Sequence, residues 1–265
     1  MADPAIYKCC PKCRHSPLPQ DQALPAACPA CGLILAKFAL PLPRTPVAMS
    51  VDVPQTTPSR WQGHIQALFE AVRYIPPRVD PALLWARVGL LLLFTLWGLR
   101  LIWLDFRIGE MGGSFLHGPL LVFHEAGHVI FGLFGQFIAV LGGTLGQLLM
   151  PAILCGAMLV HNRDPFGAAI GLWLVGVSLL DVAPYVFDAL QPQLVLLGGH
   201  TGEEGGHDWI YLLGETGLLK RAQSLGWLVH KVGAGVVLLS LVWAGWILGR
   251  QKKRIENSLQ SESDD

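Results

Sequence analysis

The segment His124-Glu125-Ala126-Gly127-His128 has the residue types and spacing for metal chemistry. On an α-helix, residues four apart lie about 40° apart around the axis and about 6 Å along it, so both imidazoles can reach one ion. Glu125 is placed to take a proton from a water that the ion acidifies, the division of labour in HExxH zinc hydrolases. The setting sharpens the motif. From Ser114 to Val160 there is no other Asp, Glu, Lys or Arg, and an ionisable group in such an apolar run is costly and is kept for a site or a pathway. The small residues Ala126 and Gly127 leave room for a neighbouring helix or a substrate.

A catalytic zinc takes three protein ligands and leaves a fourth position for water. Asp208 is the leading candidate for the third, because it follows a Gly-rich approach and opens a more apolar segment. Asp181, an acid well inside the run from Pro165 to Leu190, is the alternative, and Asp188, two turns further on, shares its face. His117 falls two turns before His124, too far along the axis for the same ion, and reads as a helix-start or interfacial residue. His161, His200 and His207 remain as further candidates, each more often a solvated loop histidine than a ligand.

A second group of ligands lies near the N-terminus. Cys10-x-x-Cys13 and Cys28-x-x-Cys31 have the spacing of a tetrahedral four-cysteine zinc site, with Cys9 offering an alternative register to Cys10. Pro follows the first cysteine of each pair, and Gly32 follows the second pair, where a tight knuckle needs positive φ. So small a head has little core without metal, and clustered cysteines in a reducing compartment favour metal over disulfides. One catalytic and one structural zinc are expected. The head's few basic residues, Lys8, Lys12, Arg14 and Lys37, favour a protein partner over nucleic acid.

These groups need elements to hold them. Half of the chain is apolar and only 14% of it is charged, a membrane composition. The 19 acids balance 19 bases, so no global field points to nucleic acid. The expected organisation is a zinc ribbon at 1–39, a Pro-rich linker at 40–60 and an amphipathic juxtamembrane segment at 61–80. A membrane-embedded domain follows at 81–250, and a charged tail at 251–265. In the third of these, Trp61, Ile65, Leu68, Phe69 and Val72 recur at helical spacing.

Spans are expected at Leu83–Leu104, 115–140, 145–160, Pro165–Leu190 and Leu225–Leu248, with the second and third divided near Gly142. The fold class is therefore an all-α polytopic membrane protein of about five to six transmembrane helices, with a small N-terminal zinc-ribbon domain. The N-terminus has no signal-peptide pattern, which keeps the ribbon cytoplasmic. Five crossings would then carry Arg250, Lys252, Lys253 and Arg254 outside, against the positive-inside rule. Either one segment is re-entrant, with Gly142–Met150 or Asp208–Leu219 the expected places, or the count is off by one.

The HEAGH motif in a transmembrane helix resembles the site-2 protease family of intramembrane zinc metalloproteases. His207-Asp208-Trp209 through Leu212-Leu213, Glu215, Gly217 and Leu218 resembles the aspartate-bearing segment of its smaller bacterial branch. The likeness covers about residues 115 to 220. It implies zinc on His124, His128 and Asp208, Glu125 as the base, and hydrolysis of a peptide bond of a membrane-protein substrate within or near the bilayer. Gly142-Gly143-Thr144-Leu145-Gly146-Gln147 also looks like the family's membrane-dipping loop. The chain departs from the family in lacking an Asn-Pro-Asp-Gly or Leu-Asp-Gly motif, since Leu180-Asp181-Val182 has no glycine, and in having no inserted PDZ-like domain. The competing reading is a catalytically inactive membrane scaffold whose ribbon binds a protein partner. A metal transporter is disfavoured, because only one intramembrane ligand cluster is evident.

Overall fold

The computed structural model describes residues 7–20, 22, 26–35 and 60–263. All but the last residue of the expected linker lies outside the described residues. The chain divides into two compact units, Met1–Thr57 and Pro58–Asp265.

The first unit is a pair of matching knuckles. Cys10 N–H donates to His15 C=O and Arg14 N–H to Cys10 C=O; Cys28 N–H donates to Leu33 C=O and Gly32 N–H to Cys28 C=O. The fifth residue of each knuckle turns through the left-handed region, Gly32 at φ +70° and Arg14 at φ +60°. A single antiparallel bridge, Ala27 to Ile34, closes the second knuckle. Cys10, Cys28 and Leu35 are buried.

The second unit is helical throughout its regular structure. Its elements are α1 (Arg60–Val72), α2 (Pro81–Trp103), α3 (His117–Phe131), α4 (Gln136–Gly156), α5 (Pro165–Asp188), α6 (Asp208–Glu215) and α7 (Ala222–Ser263). Among the described residues, four helical stretches are long and apolar enough to cross a membrane: Pro81–Trp103, Gln136–His161, Pro165–Asp188 and Leu219–Gln260. Local sequence sets the starts of α2 and α5. Asp80 caps α2 by accepting from Ala82 N–H at 2.8 Å, and Pro81 and Pro165 occupy first-turn positions where no helical N–H is required.

α5 is the central helix, with Trp173, Val177, Leu180 and Val186 fully enclosed. It runs antiparallel to α7, with Phe166 near Ile247 at one end and Phe187 against Gly226 at the other. In hydrocarbon the tails are as apolar as the side chains, so helices associate through close packing at small residues. That is what the seam shows. A Cβ on Gly233 would meet Gly176 C=O at 2.9 Å, and one on Gly171 would meet the backbone of Cys155 in α4 at 2.7 Å. Exposed Leu92, Leu96, Ile153, Leu239 and Val242 are then the lipid-facing surface.

Four membrane-length helices replace the expected five to six. α3 has 15 residues, about 22 Å against a hydrocarbon core of about 30 Å. After α2 the chain folds back inward, and Met111 and Leu120 pack beside Trp173 and Val177, midway along α5. α3 thus starts inside the bundle and runs toward the end where α5 stops. Of the two places expected to be re-entrant, Gly142–Met150 lies wholly within α4. Gly142-Gly143 is not a turn and the stretch to Gln147 is not a dipping loop, because all six residues are helical within α4. The reversal comes earlier, at Gly132–Gly135, with Gly135 at φ +93°. In lipid, glycine is tolerated within helices where a neighbour packs closely, and here the neighbour is α3.

An even number of crossings returns both flanks to one end. Leu84 packs with Ala244, Ile247 and Leu248, Arg87 pairs with Asp164 at 3.1 Å, and Trp243 Nε1 donates to Val72 C=O at 3.1 Å. The basic cluster at Arg250–Arg254 therefore shares an end with Arg78 and Arg87, which removes the conflict with the charge rule.

Candidate metal centres

Among the described residues, two groups of side chains converge closely enough to hold an ion: Cys10, Cys13, Cys28 and Cys31 in the head, and His124, His128 and Asp208 in the membrane unit. In the head, Cys10 Sγ lies 3.6 Å from Cys31 Sγ and Cys13 Sγ 3.7 Å from Cys28 Sγ. Ligands on a tetrahedral zinc with Zn–S of about 2.3 Å sit about 3.8 Å apart, so the sulfurs stand almost at the edge length of that polyhedron. Cys9 is exposed and outside the group, which settles the register.

Burial raises the Cys10 thiol, but the Cys13 and Lys12 N–H groups outweigh it and bring it to about 6. Although His15 N–H lowers Cys13, the neighbouring sulfurs and burial push it up to about 12. The protein alone thus favours the Cys10 thiolate and resists the Cys13 thiolate, a balance that a dication reverses.

In the membrane unit, Asp208 opens α6 and reaches both histidines with one oxygen. Its Oδ2 lies 2.9 Å from His124 Nε2 and 3.2 Å from His128 Nε2. Hydrogen bonds on the far side of each ring decide what those nitrogens present. Asp181 Oδ2 accepts from Gln147 Nε2 at 2.7 Å, which turns Gln147 Oε1 toward His124 Nδ1 at 3.2 Å. His128 Nδ1 faces Ala139 C=O at 2.9 Å. Both partners of Nδ1 can only accept, so both Nδ1 atoms carry hydrogen, and in the neutral rings that a metal requires both Nε2 lone pairs point at a carboxylate oxygen. Two neutral imidazole lone pairs and a carboxylate repel unless a cation lies between them. With Zn–N and Zn–O near 2.0–2.1 Å, tetrahedral ligands stand about 3.3 Å apart, close to the spacing found.

The space for the ion is set by glycine. A Cβ on Gly143 would lie 2.5 Å from His124 Nε2 and 2.5 Å from His128 Nε2, filling the cradle. A Cβ on Gly127 would collide with Gly142 C=O, so the contact that brings α4 to the HEAGH helix requires both. The residues fit zinc by donor type, tautomer and spacing.

Asp181, the alternative third ligand, stands one step behind the site. It accepts from Gln147 and pairs with His117 at 2.9 Å. His117 is the first residue of α3, the expected helix start, and its side chain is 35% exposed. Asp188 accepts from the N–H groups of Gln193 and Leu194 and faces His207 at 3.3 Å. His207, expected in solvent, is buried and caps α6 by accepting from Ile210 N–H at 3.3 Å. His200 is half-buried and faces Thr201 C=O, and exposed His161 is at the far end of the bundle, beside Arg87 and Asp164.

Sequence reasoning missed Gln147 and Tyr185 as working parts of the site. A lone glutamine in an apolar run is itself a signal, since its amide needs a partner in lipid. Tyr185 gave none; its ring packs against His207 at 4.2 Å, and its Oη accepts from Asp208 N–H at 2.9 Å.

The site opens into a cavity of about 890 Å³, bordered by Glu125, His117, Tyr185 and the non-helical segment 193–198. Glu125 is exposed on this cavity. Since Val182, Pro184 and Tyr185 also line it, the cavity belongs to the end of the bundle where α5 finishes, opposite the two flanks. No family model, curated protein or solved structure matches the chain.

Proposed function

We propose that the membrane unit is an intramembrane zinc metalloprotease, of the kind the HEAGH motif resembles, hydrolysing a peptide bond of a membrane-protein substrate. The observation that carries the reading is the meeting of two outward-facing Nε2 lone pairs and one carboxylate oxygen at zinc-ligand spacing, with Glu125 beside them on a cavity inside a helical bundle. A zinc ion held by His124, His128 and Asp208 would supply Lewis acidity, polarising the scissile carbonyl and acidifying water.

The chain's own groups do the rest. Glu125 takes the proton from water and passes it to the leaving amine. Tyr185 already accepts from Asp208 N–H, so its own O–H is left to donate into the cavity, toward the oxygen that gains charge. A substrate helix hides its carbonyls in hydrogen bonds and must unwind locally to present one. The four-cysteine head, with its own zinc, is a cytoplasmic structural module. The basic residues Arg78, Arg87, Arg250, Lys252, Lys253 and Arg254 put the end of the bundle that carries them on the cytosolic side. Scission then takes place in the non-cytosolic half of the bilayer.

The test uses purified full-length protein in nanodiscs with a library of fluorogenic transmembrane peptides. Glu125→Gln should retain two zinc ions and lose cleavage. Tyr185→Phe should retain both ions and lose about 10²-fold in turnover, the size of one oxyanion donor. Changing His124 and His128 together to Ala should leave one zinc. Undiminished cleavage by Glu125→Gln would sink the protease reading.

A further inference from the structure

A second cavity, of about 530 Å³, lies at the opposite end of the bundle from the metal site. It is lined by Arg87 of α2, the turn His161–Pro165 between α4 and α5, Tyr74 after α1, and Gln251 of α7. Gln251 is only 1% exposed, yet among the described residues neither its Oε1 nor its Nε2 has a hydrogen-bond partner. An amide buried without partners costs stability that a leucine here would not. At about 30 Å³ per water the space holds more than a dozen waters, far beyond one bridging molecule.

The rest of the cavity has a definite charge. Arg87 is spent partly on Asp164, at 3.1 Å. Arg163 has no such partner among the described residues, and it is held in the left-handed region at φ +50°. The segment leading into the turn, Ala157–His161, is π-helical, a distortion found frequently at functional sites. Two arginines against one aspartate leave the cavity an excess of one positive charge.

We infer that this cavity binds a phosphate ester, with Arg163 and Arg87 on the phosphate and the Gln251 amide on a neighbouring hydroxyl or oxygen. A phosphodiester carries one negative charge and balances the site. The location favours a lipid headgroup as the source. The cavity lies at the basic end of the bundle, where anionic headgroups concentrate, and Val160, 70% exposed, continues from its rim onto the lipid-facing surface.

The experiment is native mass spectrometry of the delipidated full-length protein with phosphatidylglycerol, phosphatidylcholine or inorganic phosphate added separately. One phosphatidylglycerol should be retained, about 10-fold in preference to phosphatidylcholine. Arg163→Gln and Gln251→Leu should each lower that occupancy at least 5-fold, with both zinc ions kept. Gln251→Leu removes an unpaired amide, so its melting temperature should not fall, which separates loss of the site from loss of the fold. Competition by inorganic phosphate, with the same sensitivity to both variants, would keep the phosphate site and assign it a soluble source. Equal retention of the two lipids, or phosphatidylglycerol binding unchanged in both variants, would overturn the inference.

Discussion

At the scale of single residues, the metal site depends as much on an absent side chain as on the ligands. Gly143 lies in the middle of α4, where alanine is the better helix former by about 1 kcal/mol. Gly143→Ala should therefore fold as well as the parent, yet its methyl group would stand 2.5 Å from both Nε2 atoms. Elemental analysis should find one zinc per chain instead of two, with helix content unchanged by circular dichroism. Two zinc ions in this variant would mean that the ion is not held between those nitrogens. The ligand spacing of His124 and His128 was legible in the linear sequence because helical periodicity alone puts them together. The need for Gly143 was not, because it arises from α4, a helix that meets α3 only after the chain has reversed.

At the scale of elements, α6 is an eight-residue helix whose main task is to deliver Asp208. Too short to hold itself, it is fixed from outside by the cap from His207, by Asp188 facing that ring, and by Tyr185 Oη on the Asp208 N–H. Replacing His207 with Ala removes a cap worth about 1 kcal/mol and leaves the position of Asp208 looser. Chelator competition should show the membrane-site zinc held about 10-fold less tightly, in the range for lost outer-shell support, with the head's zinc unaffected. Equal affinity in the variant would mean that His207 does not position the ligand. The sequence marked Asp208 by its place at the start of an apolar segment. It could not show that Asp181, equally acidic and more deeply set in apolar sequence, would be turned to Gln147 and His117 instead.

At the scale of the whole molecule, four membrane-length helices put the two flanks at one end and the cavity of the candidate metal site toward the other. A cysteine introduced at Leu218, beyond α6, and another at Glu256, in the basic stretch of α7, report on these two ends. In intact cells a membrane-impermeant maleimide should label Leu218→Cys and spare Glu256→Cys. The reverse pattern would turn the bundle over and place scission on the cytosolic side.

What the linear sequence determined is whatever depends on neighbours within a turn or two. The HEAGH ligands share a face by helical geometry, the four cysteines fall into two knuckles by local turns, and the apolar runs are long enough for lipid. Only the tertiary structure decided that Asp208 rather than Asp181 meets the two histidines, how far α3 reaches along α5, and which helices are long enough to cross a membrane. Each of these turns on a contact between helices far apart in the chain. The glycines illustrate why: the local pattern of Gly142-Gly143 is that of a break, whereas in lipid the same missing side chains let two helices touch, and the absence of a Cβ leaves the space in which an ion fits.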